Sequence, residues 1–176
     1  MMDPMEIFFE SPLYQKAEEI DGTLKSISAL IPENKVMLLF VNGLIQKASS
    51  RITQNLIRAE ESKRYDTKMY CAGLIRSGCL DVVGLGKELQ KRGFRDGKYF
   101  AIVERQVEEF RLLFLDWVSD FDQKQFVTDR WGLFNPPGIS KDYVQNPDDI
   151  SHLLAEDEDD NDDDDFIDQF LNNDDN

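Results

Sequence analysis

Apolar residues between residues 12 and 122 recur at steps of three and four, which is the spacing of amphipathic helices. A first helix is predicted to begin with Ser11 as its N-cap and Pro12 at its first position, where a missing N–H does no harm. It ends before Pro32, because a helix rarely continues through the residue that precedes a proline. Its apolar face comprises Leu13, Ala17, Ile20, Leu24, Ile27 and Ile31.

Three further helices show the same periodicity. The second runs from near Asn34 to about Glu61. Its buried face comprises Val41, Leu44, Ile45, Ala48, Ile52, Leu56 and Ala59. The third ends at Gly93, since glycine favours the left-handed conformation that follows a helix. Its seam comprises Cys71, Leu74, Ile75, Gly78, Val82, Leu85 and Leu89. Asp96 is predicted to cap the fourth helix. The seam of that helix comprises Tyr99, Val103, Val107, Phe110, Leu113, Phe114, Trp117 and Phe121.

These elements predict an all-α fold, an antiparallel up-down-up-down four-helix bundle over residues 12–122 that follows an N-terminal arm of residues 1–11. The third helix is apolar on several sides, and such a helix usually buries more than one face. It is therefore either central in the bundle or packed on another subunit of a homo-oligomer. The candidate interface residues are Met69, Ala72, Leu80 and Val83. A close approach of a neighbouring helix is predicted at Gly73, Ser77, Gly78 and Gly84.

Residues 123–144 form an aromatic loop rich in Pro and Gly, which cannot continue the fourth helix. The segment FVTDRWGLFNPPG places Trp131 and Phe134 ahead of the Pro-Pro-Gly breaker. Exposing several aromatic side chains in a short segment is unfavourable, so they either fold back on the bundle or dock on a partner. The sequence leaves both arrangements open.

Residues 145–176 have the composition of a disordered acidic tail, because a run such as EDEDDNDDDD is too charged to bury. Phe166, Ile167, Phe170 and Leu171 interrupt this tail at helical spacing. They predict a short amphipathic element that could fold on a basic, apolar groove of a partner. A tail that only increases solubility is the alternative.

Charge is divided unevenly along the chain, whose overall net charge is −15. Residues 35–92 carry eleven Lys and Arg against five acids, a net charge of +6. Residues 142–176 carry fifteen acids and no Lys or Arg, so the acidity belongs to the tail. Lys47, Arg51 and Arg58 fall on one side of the second helix and predict a basic stripe beside the core.

The catalytic constellations that we considered are not found in the sequence. His152 is the only histidine and lies in the acidic tail, which excludes a Ser-His-Asp or Cys-His site in the bundle. Metal-binding and phosphate-loop motifs are missing too, so we expect neither an enzyme nor a bound metal or cofactor. We also expect a cytoplasmic protein without a membrane span. Cys71 and Cys79 lie too far apart on one helix to form a disulfide.

Three segments resemble a family of small bacterial four-helix-bundle proteins first noted in intervening sequences of 23S ribosomal RNA genes, which includes the accessory variability determinant of diversity-generating retroelements. LYQKAEEIDGTLKSISALIPENK resembles the first helix and its Pro-containing turn. ASSRITQNLIRAEESKRYDTKMYCAGLIRSGCLDVV resembles the second helix, a Ser/Lys-rich turn and the third helix. YFAIVERQVEEFRLLFLDWV is similar to the last helix, and the resemblance covers residues 12–122.

That resemblance implies a ring-shaped homo-oligomer, commonly a pentamer, that binds RNA or DNA through a basic surface. In the retroelement members it also implies a reverse transcriptase as a partner, so a reverse transcriptase or similar nucleic-acid enzyme is the expected partner here. The charge pattern independently favours a non-catalytic scaffold that binds nucleic acid, without distinguishing RNA from DNA. RNA is the first candidate. The residues expected to neutralise phosphates are Lys47, Arg51, Arg58, Lys63, Arg64 and Lys68. The alternative is a protein-interaction module whose acidic tail mimics nucleic acid or occupies a partner's basic groove. In either case the tail could also compete with phosphate for the basic stripe.

Overall fold

A computed structural model describes residues 3–155 of the chain. The six α-helices are α1 (Pro4–Phe9), α2 (Pro12–Ser28), α3 (Val36–Glu61), α4 (Tyr65–Lys91), α5 (Phe100–Ser119) and α6 (Pro147–Leu154), and a 3-10 helix, Arg95–Tyr99, precedes α5. This part of the chain contains no β-strand. The prediction of an all-α fold with four long helices is therefore confirmed.

Two predicted helix ends are present with the expected hydrogen bonds. The Ser11 hydroxyl accepts from the Tyr14 N–H at 3.3 Å and caps α2. After α4, Gly93 has φ of +84°, and the Phe94 N–H donates to the Leu89 carbonyl at 3.1 Å. This bond closes a Schellman motif, which glycine permits because a left-handed residue must follow the helix.

The predicted start of the fourth helix is wrong. Asp96 lies inside the 3-10 helix and does not cap α5, which begins at Phe100 without a side-chain cap. The 3-10 turn packs closely on the end of α4, where the Gln90 side-chain amide donates to the Gly97 carbonyl at 2.9 Å. A Cβ on Gly97 would lie 2.4 Å from Gln90 Cγ. Tertiary packing at Gly97 thus sets this boundary.

The long helices contact one another in a closed ring, α2 with α3, α3 with α4, α4 with α5, and α5 with α2. Between α2 and α3, the Ser49 hydroxyl donates to Asp21 at 2.9 Å and the Asn42 amide donates to the Ser28 hydroxyl at 2.8 Å. Later residues of α2 thus meet earlier residues of α3, so these two helices run in opposite directions.

The ring encloses one main apolar core. Its deepest side chains come from all four long helices and include Ile20, Leu24, Ile45, Ile52, Leu56, Ile75, Val82, Leu89, Val103 and Phe110. A smaller cluster of Tyr65, Ala72, Phe121 and Phe126 joins the start of α4 to the end of α5 and the segment after it. Cys71 and Cys79 are buried and unbridged, and burial raises the pKa of the Cys79 thiol to about 12.

Two expectations about buried seams need correction. Leu44 is 38% exposed and Tyr99 is 39% exposed, although both were placed on buried faces. Leu44 lies at the margin of the apolar arc of α3, and Tyr99 lies in the 3-10 helix, before α5 begins. The remaining predicted seam residues of these two helices are buried or half-buried.

Close helix approach occurs at one of the four predicted small residues and at one glycine that was not predicted. A Cβ on Gly78 would lie 2.9 Å from the Ala48 carbonyl oxygen of α3, and one on Gly86 would lie 2.5 Å from the Phe100 ring. By contrast, a Cβ on Gly73 or Gly84 would meet nothing within 4 Å. Those two glycines face outward, so no helix of the same chain packs closely on them, and close packing there by another subunit stays a prediction.

Both predicted flanking segments contain helix within the described range. A capping box at Asp3 starts α1 inside the arm of residues 1–11. Helix α6 lies inside the segment assigned to the disordered tail, and its Leu153 is buried. Residues 156–176 lie outside the described residues, so the prediction of disorder for them stays a prediction. The same holds for the predicted amphipathic element of Phe166, Ile167, Phe170 and Leu171.

Candidate functional site

The turn between α3 and α4 is held by its own side chains. The Ser62 hydroxyl accepts from the Arg64 N–H at 3.1 Å, and an Arg64 guanidinium nitrogen lies 2.6 Å from Asp66 Oδ2. The side chains of this ion pair are only 13% and 11% exposed. A largely buried arginine–carboxylate pair of this kind fixes the orientation of the first turn of α4.

The same turn anchors the aromatic loop. Asp66 Oδ1 accepts from the Val127 N–H at 2.9 Å, and the Tyr65 N–H donates to the Gln125 carbonyl at 2.5 Å. Phe126, between these two anchoring residues of the loop, is buried. Residues that are far apart in the chain are thereby fixed side by side.

One carboxylate organises the tip of the aromatic loop. Asp129 accepts from the N–H groups of Trp131 at 2.9 Å, Leu133 at 2.8 Å and Phe134 at 3.2 Å. These backbone hydrogen bonds, that of Trp131 foremost, lower the pKa of Asp129. Gly132 adopts φ of +73°, which permits the tight turn between them. The loop is thus ordered around a charged Asp129.

Trp131 and Phe134 have different environments on this ordered loop. The Phe134 ring meets the Tyr70 ring of α4 edge-on, with centroids 5.6 Å apart. Trp131 is 89% exposed. Of the two arrangements that the sequence left open, folding back thus describes Phe126 and Phe134, whereas the Trp131 indole is presented to solvent.

Together the turn and the loop form a cleft of about 440 Å³. Three arginines and three aromatic residues contribute to its lining: Arg58, Arg64, Arg130, Tyr70, Trp131 and Phe134. The guanidinium carbon of Arg58 lies 5.9 Å from the centroid of the Tyr70 ring. The two acids that also line the cleft, Asp66 and Asp129, are already engaged in the hydrogen bonds described above.

This combination of groups suits a particular ligand chemistry. Guanidinium groups bind phosphates through paired N–H donors. Exposed aromatic rings stack on nucleobases, and such stacking tolerates any base because each has a π-face. A cleft that offers both, one beside the other, can hold a nucleotide unit by its phosphate and its base.

The predicted basic stripe does not converge on one site. Arg58 and Arg64 line the cleft, whereas Arg51 lies 2.9 Å from Asp81 on α4 and is paired there. Lys47 is exposed about 16 Å from Arg58 along the axis of α3, at 1.5 Å per residue. The three side chains share a helix face as predicted, but each has different surroundings.

The remaining two predicted cations also differ from each other. Lys63 is exposed in the turn. Lys68 is half-buried, its ammonium lies 5.3 Å from the centroid of the Phe121 ring, and burial lowers its pKa. A half-buried ammonium that faces an aromatic ring of its own chain is less accessible to a phosphate than an exposed one.

Of the four candidate interface residues on α4, only Leu80 presents a largely exposed apolar side chain. Ala72 is buried and Met69 is half-buried within the smaller apolar cluster of the same chain, and Val83 is half-buried. A broader exposed apolar surface lies on the first turns of α3, where Val36, Met37, Phe40 and Leu44 share one side. Patches of this kind on a folded protein mark interaction surfaces.

Reasoning from the sequence missed Arg130 and Tyr70, which complete the cleft. The signal that could have found Arg130 is the local sequence DRWG, in which an Asp starts a turn and a Gly ends it. Such a turn holds the two residues between them outward. Tyr70 gave no comparable signal, because one tyrosine on a helix is most often a packing residue.

Comparison with protein-family models, with curated proteins and with solved structures gives no match. The kinship suggested by the three sequence segments therefore stays a prediction. Within residues 3–155, no helix is both long and apolar enough to cross a membrane. The same range holds no cluster of three or more His, Cys, Asp or Glu suited to a metal ion.

Proposed function

We propose that this chain is an antiparallel up-down-up-down four-helix bundle that binds single-stranded nucleic acid in the cleft between the α3–α4 turn and the aromatic loop. RNA is the first candidate, because the resemblance described above points to it. The proposed role is that of a non-catalytic, oligomeric accessory protein. A reverse transcriptase or similar enzyme as its partner is an expectation from the resemblance alone.

The observation that carries the proposal is the exposed indole of Trp131 beside Arg58 and Arg130. A tryptophan that only fills a core is buried, whereas Trp131 is held outward by its loop. Three backbone N–H groups of that loop donate to Asp129 and fix its conformation. The loop is therefore already ordered before a ligand binds. Preorganisation of this kind favours binding, since little conformational entropy remains to be lost.

The second support is that both acids of the cleft already have hydrogen-bond partners within the chain. These two acids are engaged with the N–H groups of the loop and with Arg64, which leaves Arg58 and Arg130 as the cations best placed for phosphates. Each phosphate neutralised on a single strand contributes about 0.7 to the slope of log affinity against log salt concentration. Binding should therefore weaken steeply with salt.

Oligomerisation has a separate basis. The exposed apolar side of α3, formed by Val36, Met37, Phe40 and Leu44, lies away from the cleft residues at the other end of that helix. A second copy on this face would leave the cleft open. Light scattering on the full-length chain measures the number of copies.

The test is a fluorescence anisotropy titration of full-length protein with a labelled 20-nucleotide RNA of low structure and with the matching DNA. Base stacking is worth about 1–3 kcal/mol, so Trp131→Ala should weaken binding roughly 5- to 150-fold. Arg58→Ala and Arg130→Ala should each lower the salt slope by about 0.7. Lys47→Ala is the matched control, because it removes an exposed cation of α3 that lies outside the cleft.

Two results would overturn the assignment. Unchanged affinity of Trp131→Ala would show that the indole contacts no base. Equal losses from Lys47→Ala and Arg58→Ala would show diffuse attraction to the basic hairpin instead of a site.

A further inference from the structure

A second concave surface, unrelated to the cleft, lies between α4 and α5. It is an apolar groove of about 360 Å³. Ile75, Cys79, Val107, Phe110 and Phe114 contribute to its floor and walls, and Leu80 and Leu115 lie at its edges. Leu80 is 55% exposed and Leu115 is 51% exposed.

Close contacts flank the groove at both ends. At one end Gly86 lets the Phe100 ring approach α4. At the other end Phe121 packs with Tyr65 and Ala72 in the smaller apolar cluster. Between these contacts the two helices leave apolar side chains facing a gap, which an additional apolar element of the right size could fill.

We propose that this groove is the docking site of the chain's own C-terminal segment, residues 166–171. The sequence FIDQFL places Phe166, Ile167, Phe170 and Leu171 at positions i, i+1, i+4 and i+5, which share one face of a helix. A short amphipathic helix laid in an apolar groove is a common mode of peptide recognition. The segment lies outside the described residues, and its pattern is taken from the sequence.

The described chain ends in a place from which the segment can reach the groove. Leu153 of α6 is buried, and the His152 ring lies 3.1 Å from the side-chain oxygen of Gln125. The backbone carbonyl of Gln125 accepts from the Tyr65 N–H at the start of α4. Helix α6 therefore lies near the start of α4. From there the groove begins at Ile75, about 15 Å along α4. The eleven peptide units that join Ala155 to Phe166 can span roughly 36–40 Å when extended.

The charges that line the groove are opposite in sign to those that precede the segment. Arg76 and Arg111 line it, and Arg111 is held by Glu108 at 2.5 Å. Arg76 forms no ion pair with any residue between 3 and 155. Four consecutive aspartates, Asp162 to Asp165, directly precede Phe166, so a docked segment would bring carboxylates to an edge that carries arginines.

Attachment to the same chain makes this occupant favoured over a free partner. A tethered segment has an effective concentration near the millimolar range for a short flexible connection, so even weak intrinsic affinity fills the groove. A protein partner that uses the same groove would first have to displace the segment. The tail is then an intramolecular competitor for an apolar surface, which is a role distinct from shielding the basic stripe.

The test places the photo-crosslinking residue p-benzoylphenylalanine at Phe170 of the full-length chain. Irradiation should link it to residues 75–80 and 107–115 within one copy, with a yield independent of protein concentration. Leu80→Asp combined with Leu115→Asp should lower that yield about tenfold or more, because two carboxylates at the edges of the groove would have to be desolvated against the apolar face of the segment. Both leucines are exposed, so the double substitution leaves the core intact, which circular dichroism checks.

The matched control carries the same photo-crosslinking residue at Val144, which is 89% exposed in the described part of the chain. Its crosslinks should not respond to the two Asp substitutions. Crosslinks from position 170 that match the control in yield, or that fall on the Arg58–Trp131 cleft, would overturn the proposal. Crosslinks found only between two copies would also overturn it, because they assign the groove to the tail of a second copy. None of these outcomes depends on nucleic-acid binding.

Discussion

Gly78 offers a quantitative test of how closely α3 and α4 approach each other. An alanine Cβ at this position would lie 2.9 Å from the Ala48 carbonyl oxygen and 2.9 Å from Ile52 Cγ1. Backbone oxygen cannot move aside as a side-chain end can, so the two helices must separate. Overpacking of this kind costs about 1–3 kcal/mol. Against it stands the higher helix propensity of alanine, which contributes about 0.8–1 kcal/mol.

The net expectation for Gly78→Ala is a loss of up to about 2 kcal/mol in the free energy of unfolding. Gly84→Ala is the matched control, since it lies in the same helix and its Cβ would meet nothing within 4 Å. That control should gain nearly the full propensity term of about 0.8–1 kcal/mol. The difference between the two variants therefore isolates the helix contact, at about 1–3 kcal/mol.

Urea unfolding followed by far-ultraviolet circular dichroism measures this difference, and the slope against urea should be equal in the two variants. In thermal unfolding it corresponds to roughly 2–12 °C for a chain of this size. Equal stabilisation by Gly78→Ala and Gly84→Ala would refute the close approach. It would also remove the reason for placing Arg58 and Tyr70 side by side, because that pair depends on the packing of α3 on α4.

Two further predictions concern the cleft and its surroundings. Because the folded pKa of Asp129 is lowered, loop stabilisation should be complete above the ordinary value of about 3.9 and be lost only as pH falls through the lower folded value. The fluorescence of Trp131 in a Trp117→Phe background reports this, and Asp129→Asn should abolish the acid transition and loosen the loop at neutral pH. Lys68→Met should leave the salt slope of RNA binding unchanged and raise the free energy of unfolding, since burial already lowers the pKa of that ammonium. A drop of about 0.7 in the slope would instead identify Lys68 as a phosphate contact.

The long helices were predictable because their signals are local. Ser11 caps the residues that follow it, and Gly93 ends a helix through its own backbone conformation. Where packing across the chain decides, local signals fail. Asp96 looks like a cap in the sequence, but the fit of Gly97 against Gln90 shifts the start of α5 to Phe100.

The cleft was only half predictable for the same reason. Its cations on α3 and in the turn were found from charge periodicity, and Trp131 was found from the cost of exposing aromatic residues. Their meeting depends on a hydrogen bond between Asp66 and Val127, which are 61 residues apart in the chain. Periodicity carries no information about such a contact, so Arg51 and Lys68 could not be distinguished from Arg58 before their neighbours were known.

The double use of the Asp66 carboxylate gives the cleft a dynamic property. The two carboxylate oxygens of Asp66 bind the Arg64 guanidinium in the turn, and Oδ1 also accepts from the Val127 N–H in the loop. Both walls of the cleft therefore depend on a single buried group. When the first turn of α4 frays, both walls should open together as one cooperative unit. Apparent ligand affinity then falls by the fraction of molecules in which this unit is open, and a bound ligand should slow hydrogen exchange at the Val127 amide.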